Sequence, residues 1–229
     1  MKTMVKVRQK LRRWHIWLGW IVGLPFLAWT MSGLVMVARP IETVRGEGLI
    51  AEAPALPAGV SPVAPAIGPR PLASLRLEAR PDGPKWLLKY ADGGTRLADA
   101  ATGRLLPPFA AADAARLVEA RYTGKARIAA VDRISAEAPP IDFRRKVPAW
   151  RVTMTDGTRF YLDSATGEIL ARRTRWWRFY DWMWGLHIMD LETREDAHNP
   201  LLIGFGIVAL LTTLLALAML PLTLKRRRR

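Results

Sequence analysis

Two long stretches of the chain carry no formal charge, and the pattern between them changes period several times. From Trp14 to Ala38, 25 residues contain no Lys, Arg, Asp or Glu. At ~1.5 Å per residue, a helix of that length covers about 37 Å, more than the ~30 Å hydrocarbon core of a bilayer. Lipid offers a backbone no hydrogen-bond partners, so a crossing run has to be helical. The run is also longer than the ~7–15 apolar residues of a cleaved leader, and Met36-Val37-Ala38 lacks the small-x-small pattern, so it is expected to remain as an anchor. The second stretch, Leu201 to Leu224, follows Asn199, a good N-cap, and Pro200, suited to a first helical position. The spans predicted are 14–38 and 200–224.

Residues 39–71 read as an extended Pro/Ala-rich linker, because the segment after Glu52 has neither a helical nor a strand period. An internal repeat follows. Trp86 to Gly93 and Asp99 to Leu106 recur 64 residues later as Trp150 to Gly157 and Asp163 to Leu170. Each copy alternates apolar and polar positions, breaks at Asp-Gly, runs again and breaks at Asp-x-Ala-Thr-Gly, the pattern of a hairpin whose turn needs φ > 0. Trp150, Val152 and Met154 fall on one face, with Phe160 and Leu162 expected to join them. Between the copies, Phe109 to Tyr122 has an apolar stripe at helical spacing, and Ala126 to Ile134 reads as a strand. The fold class predicted for 72–172 is α+β: duplicated antiparallel β-hairpins with a helix, as an extracytoplasmic domain between two transmembrane α-helices.

Residues 173–190 crowd Trp176, Trp177, Tyr180, Trp182 and Trp184 into nine positions, flanked by Arg172, Arg173, Arg175 and Arg178. This predicts an interfacial helix on the membrane, with its arginines reaching lipid phosphates. Arg178 and Asp181 rule it out as a span. A polar loop, 191–199, leads to the second apolar stretch. Within the first stretch, Gly19 and Gly23 form a GxxxG spacing suited to close approach by another helix, in a homodimer or against another protein.

The +15 net charge changes the picture less than its size suggests. The basic tails, 1–13 and 225–229, supply +11 of it, leaving +4 for everything between. Basic clusters set hard against apolar spans fix topology and meet anionic lipid. Both termini are therefore expected to be cytoplasmic, with 39–199 on the other side, and nucleic acid is not an expected partner. The chain has no cysteine, which excludes disulfides, thiolate metal sites and a cysteine nucleophile. It also lacks a Ser-His-Asp order, a phosphate-binding Gly loop and HExxH. Asp92, Asp99, Asp156 and Asp163 stand at turns that favour Asp, so no catalytic residue is predicted. His187, Asp190, Glu192, Glu195, Asp196 and His198 offer oxygen and nitrogen ligands for a divalent ion, His187, Asp190, Asp196 and His198 foremost, though in no recognised ligand spacing.

The Asp-Gly hairpins with Asp-x-x-Thr-Gly turns after a helix resemble the PepSY domain. Arg12, His15 and Gly19, with Trp184-Gly185-Leu186-His187-Ile188-Met189-Asp190, resemble the membrane helices of PepSY-associated transmembrane proteins. The resemblance implies a bacterial inner-membrane protein with a periplasmic PepSY-like domain, often linked to iron and siderophore uptake. Larger relatives, with four or more spans, look like haem-containing reductases for ferric siderophores. It therefore implies haem b as a cofactor, with His15 and His187 as the matching ligand positions. The two lie near opposite faces of the bilayer, so a homodimer would pair His15 with His15 and His187 with His187. The functional expectation is a membrane-tethered binding, regulatory or accessory module, with a haem-binding electron-transfer subunit as the alternative.

Overall fold

The computed structural model describes residues 2–224; the basic tail Lys225–Arg229 lies outside them. By its internal contacts the chain divides into a helical unit, residues up to 40 and from 179 onward, and a β unit, residues 41–178.

In the helical unit, α1 (Lys2–Val37) and α5 (Pro200–Leu224) pack together. Both are long and apolar enough to cross a membrane, over Gln9–Val37 and Pro200–Leu220. Trp20 and Leu24 are 80% and 76% exposed, a distribution that suits lipid rather than water. Hydroxyls in these helices are satisfied locally: Thr30 and Thr212 donate to the carbonyls of Phe26 and Val208, four residues back. The Asn199 carboxamide oxygen accepts from the Leu202 N–H at 2.9 Å, capping α5 as its sequence predicts. Two apolar helices, each long enough to cross a bilayer, flank a β-rich region, an arrangement that fits a membrane protein. The N-terminal basic segment, expected as a tail, is instead the first part of α1.

The β unit begins with α2 (Ile41–Arg45) and a 3-10 turn, Glu47–Leu49. This corrects the linker's start: Val44 and Ile50 are buried, and Ile50 bridges to Tyr122, so packed structure holds 41–51. Three antiparallel strands follow: β1 (Leu72–Glu78), β2 (Lys85–Tyr90) and β3 (Thr95–Asp99). Helix α3 (Ala111–Arg121) leads to a second antiparallel sheet of four strands. These are β4 (Ile128–Ile134), β5 (Ala149–Met154), β6 (Arg159–Asp163) and β7 (Ile169–Arg173). The α+β prediction holds. The last helix, α4 (Arg175–His187), starts in the β unit at its cap Thr174, whose hydroxyl accepts from the Trp177 N–H, and ends in the helical unit.

The turns repeat atom for atom at the 64-residue spacing. Gly93 and Gly157 take φ of 83° and 81°, which a Cβ would strain. Asp99 Oδ1 accepts from the Ala101 and Thr102 N–H groups and the Thr102 hydroxyl; Asp163 Oδ1 accepts from Ala165, Thr166 and the Thr166 hydroxyl.

Burial differs between the sheets. One face of the second sheet puts Val152, Met154, Phe160 and Leu162 against Ala114 and Val118 of α3. The other face buries Ala149, Tyr161 and Ile134 with Phe143, whose ring stacks on Tyr161 at 4.5 Å. Beneath that stack, Asp142 accepts from the Tyr161 hydroxyl at 2.8 Å and the Arg159 guanidinium at 3.0 Å. The first sheet's cluster is only Leu88, Tyr90 and Ala98, with Leu72, Leu75 and Trp86 half-buried around it.

Candidate functional sites

A cavity of about 750 Å³ lies in the β unit between the first sheet and α3. That volume is within the ~300–1,000 Å³ of ordinary ligand clefts. Cross-strand partners share a face, so Leu87 opposite Leu97 and Trp86 opposite Ala98 define the two sides of the sheet. The cleft uses the Leu97 side. Leu97, Leu106, Phe109 and Leu117 give it an apolar lining, and Pro107 and Pro108 stiffen one wall.

Charges ring this surface, and most are committed. The Lys85 ammonium contacts Asp99 Oδ2 at 3.0 Å; the Arg80 guanidinium donates to the Thr166 carbonyl; Arg116 pairs with Asp113, which also caps α3 by accepting from the Ala110 N–H. The Lys85 and Thr102 hydrogen bonds hold the Asp99 carboxyl below its ordinary range. No histidine and no hydroxyl nucleophile line the cleft. It can bind apolar groups within a charged rim.

The histidines lie in the helical unit, and it does not bring the two haem candidates together. The His187 ring stacks on Trp29 at 4.6 Å, with its Nδ1 3.1 Å from the Trp29 carbonyl and 3.2 Å from the Ser32 hydroxyl. Gly33 lies below, where a Cβ would stand 3.2 Å from His187 Cε1. A carbonyl oxygen only accepts, so Nδ1 carries the proton, and in the neutral ring Nε2 keeps its lone pair. Metal-ligating histidines are commonly oriented by such an Nδ1–H to carbonyl bond, so His187 is the residue that would hold a haem iron here, were one bound. His15 lies 14 residues before Trp29 on α1, about 21 Å along the axis at ~1.5 Å per residue. Its Nδ1 is shielded and has no hydrogen-bond partner among the described residues. Within one copy the two rings are therefore too far apart to share one iron.

The divalent-ion cluster is not assembled. Among the described residues no group of three or more His, Asp or Glu side chains could hold a metal ion. Asp190 organises its own loop, accepting from the Thr193 hydroxyl and N–H and from the N–H groups of Glu195 and Asp196. Those donors, Thr193 foremost, hold its carboxyl far below the usual range. Asp196 accepts from the His198 backbone N–H.

The Trp-rich helix is only partly a free surface. Trp182 and Phe179 are 44% and 41% exposed, whereas Trp176, Trp177, Tyr180 and Trp184 are half-buried. The Arg173 guanidinium covers Trp177 at 4.0 Å, and the Trp184 indole N–H donates to the Arg194 carbonyl. Three of the neighbouring arginines, all four of which the sequence places near lipid phosphates, donate to backbone carbonyls. Arg172 reaches Glu47, Arg173 reaches Asp142, and Arg178 reaches Gly157 and Arg173; Arg175 is exposed. Gly19 and Gly23 meet nothing within 4 Å and line a shallow hollow on α1 with Trp20 and Leu27.

The cleft was not legible in the sequence: its lining comes from the β1–β2 connection, β3, the Pro107-Pro108 wall and α3, which share no motif. Compared with known proteins, the chain matches no family model, no curated protein and no solved structure.

Proposed function

We propose that the chain is a two-pass protein of the bacterial inner membrane, with cytoplasmic termini, that presents a duplicated PepSY-like domain to the periplasm as a binding, regulatory or accessory module in iron or siderophore uptake. The observation that carries this reading is the apolar cleft with a charged rim. The matching turns at Asp99 and Asp163 support duplication. A photo-cross-linking residue at Leu117, in the full chain in its native membrane, is expected to capture one partner; the same residue at exposed Ala129 on β4 is expected to capture none. Equal capture at both positions, or none at Leu117, defeats the proposal.

The His187 geometry favours a second reading, a haem-binding electron-transfer subunit. Bound haem would supply one-electron chemistry; this chain would contribute the His187 Nε2 lone pair, held by Trp29 and Ser32, with a further ligand from another chain. Detergent-purified protein made with ample haem would then show a Soret band that His187→Ala removes. A colourless protein eliminates this reading and leaves the first intact.

A further inference from the structure

The Pro/Ala segment before the first sheet is docked at one point. From residue 51 to 64 nearly every side chain is exposed, yet Pro65 is buried. Around it the backbone is read at three places. The Val63 N–H donates to the Ala100 carbonyl at 2.8 Å, the Val63 carbonyl accepts from the Trp86 indole N–H at 2.8 Å, and the Ala66 N–H donates to the Gly103 carbonyl at 3.4 Å. Gly103 is required for this approach: a Cβ there would stand 2.5 Å from the Ala64 carbonyl oxygen. A buried proline, backbone bonds on both sides of it and an indole N–H on a carbonyl form the usual means of holding an extended proline-containing segment.

The second half repeats the device. The Trp150 indole N–H donates to the Phe109 carbonyl, and the Phe109 ring lies 2.5 Å from where a Gly167 Cβ would stand. There the held segment, Pro107-Pro108-Phe109, continues directly into α3, which the core locks in place. Residues 63–66 have no such lock. They are followed by Gly68 at φ 69°, Pro69 and Pro71, and preceded by an exposed arm. Val63 itself stays 48% exposed.

We propose that the groove formed by Trp86, Ala100 and Gly103 is a binding site for extended peptide segments of the type Val-x-Pro-x, and that residues 63–66 are its displaceable occupant in cis. It lies on the Trp86 side of the sheet, opposite the Leu97 side, and stands whether or not the cleft has a partner. A tethered occupant competes at an effective concentration of order millimolar, so the intact chain binds such a peptide weakly and release of the strap exposes the site.

The test is fluorescence anisotropy of a labelled peptide spanning residues 61–68, titrated with the full-length protein in detergent. Pro65→Asp places a charge in the anchor position and empties the groove. This variant is expected to bind the peptide at least tenfold more tightly than the unaltered chain. Adding Trp86→Phe is expected to remove that gain, and a peptide carrying the same Pro→Asp change is expected not to bind. A folded Pro65→Asp protein that binds no better than the unaltered chain overturns the proposal. If that variant fails to fold, hydrogen exchange on the unaltered chain decides: millimolar peptide must accelerate exchange of the Val63 N–H, and an unchanged rate overturns the proposal.

Discussion

The first and second sheets of the β unit share turns, tryptophans and a held proline segment, but they differ in what covers them. In the second half, Pro107-Pro108-Phe109 is followed by α3, and this helix closes one face of β4–β7 over Val152, Met154, Phe160 and Leu162. In the first half only five residues, 67–71, separate the docked segment from β1, and among them Gly68, Pro69 and Pro71 exclude a helix. A strap stands where the second half has a helix, and the buried cluster on that side is limited to Leu88, Tyr90 and Ala98, with Leu87 and Leu97 buried on the other. One copy thus became a closed core, while the other kept an open cleft on its Leu97 side and a lightly held strap on its Trp86 side. Surface left open in the first half stays accessible, whereas burial that stabilises the second half's core also removes it from partners.

Core truncation breaks the comparison most strongly. Phe160→Ala should cost about 3–5 kcal/mol and abolish the β unit's cooperative melt at moderate temperature. Leu88→Ala, in the smaller cluster, should lower the midpoint by less, at about 2–3 kcal/mol. Glycine replacement sharpens it further. Gly167→Ala drives a Cβ into the Phe109 ring at φ 68° and should cost at least ~2 kcal/mol, since the ring cannot leave without disturbing α3. Gly103→Ala has an equal clash but against a strap that can lift away, so about 1 kcal/mol and locally faster exchange at Val63 are expected.

The halves should also respond to opposite ends of the pH scale. Hydrogen bonds from Lys85 and Thr102 depress the Asp99 carboxyl, and those from Arg70 and Gly94 depress Asp92. A depressed carboxyl contributes stability above its unfolded value near ~3.9 and loses it as pH falls through the folded value, so acid below about pH 4 should loosen the first sheet's turns. In the second half, burial first and then the Asp142 bond push Tyr161 up to about 12. A raised group stabilises below its unfolded value, near ~10, and loses that contribution as pH climbs toward the folded one. Alkali should therefore weaken the second sheet, and pH-resolved hydrogen exchange reads both. The smallest effect is expected from Asp92→Asn, which removes the exposed Arg70 pair and should leave the thermal midpoint nearly unchanged.

Much of the frame was legible because it rests on local chemistry. Asp-Gly and Asp-x-Ala-Thr-Gly encode their turns within a few residues, and the face carrying Val152 and Phe160 follows from period two. The spans were visible from the absence of charge. The strap was not, because an extended proline segment has no period and its capture depends on an indole 23 residues further on, Trp86. Residues 41–50 look like linker in the sequence because burial of Ile50 requires α3 to be in place. The arginines near Trp177 were assigned to lipid because nothing in a sequence shows that carbonyls of Glu47, Asp142 and Gly157 await them.

The unequal hold on the two proline segments is tested most directly by residue-resolved hydrogen exchange on the full chain in detergent at neutral pH. The Val63 and Ala66 amides should exchange at least about 100-fold faster than those of Ala114 and Val152, because the strap opens without the core. Equal protection at all four positions would mean that the strap opens only when the second half unfolds, and would contradict an open first half.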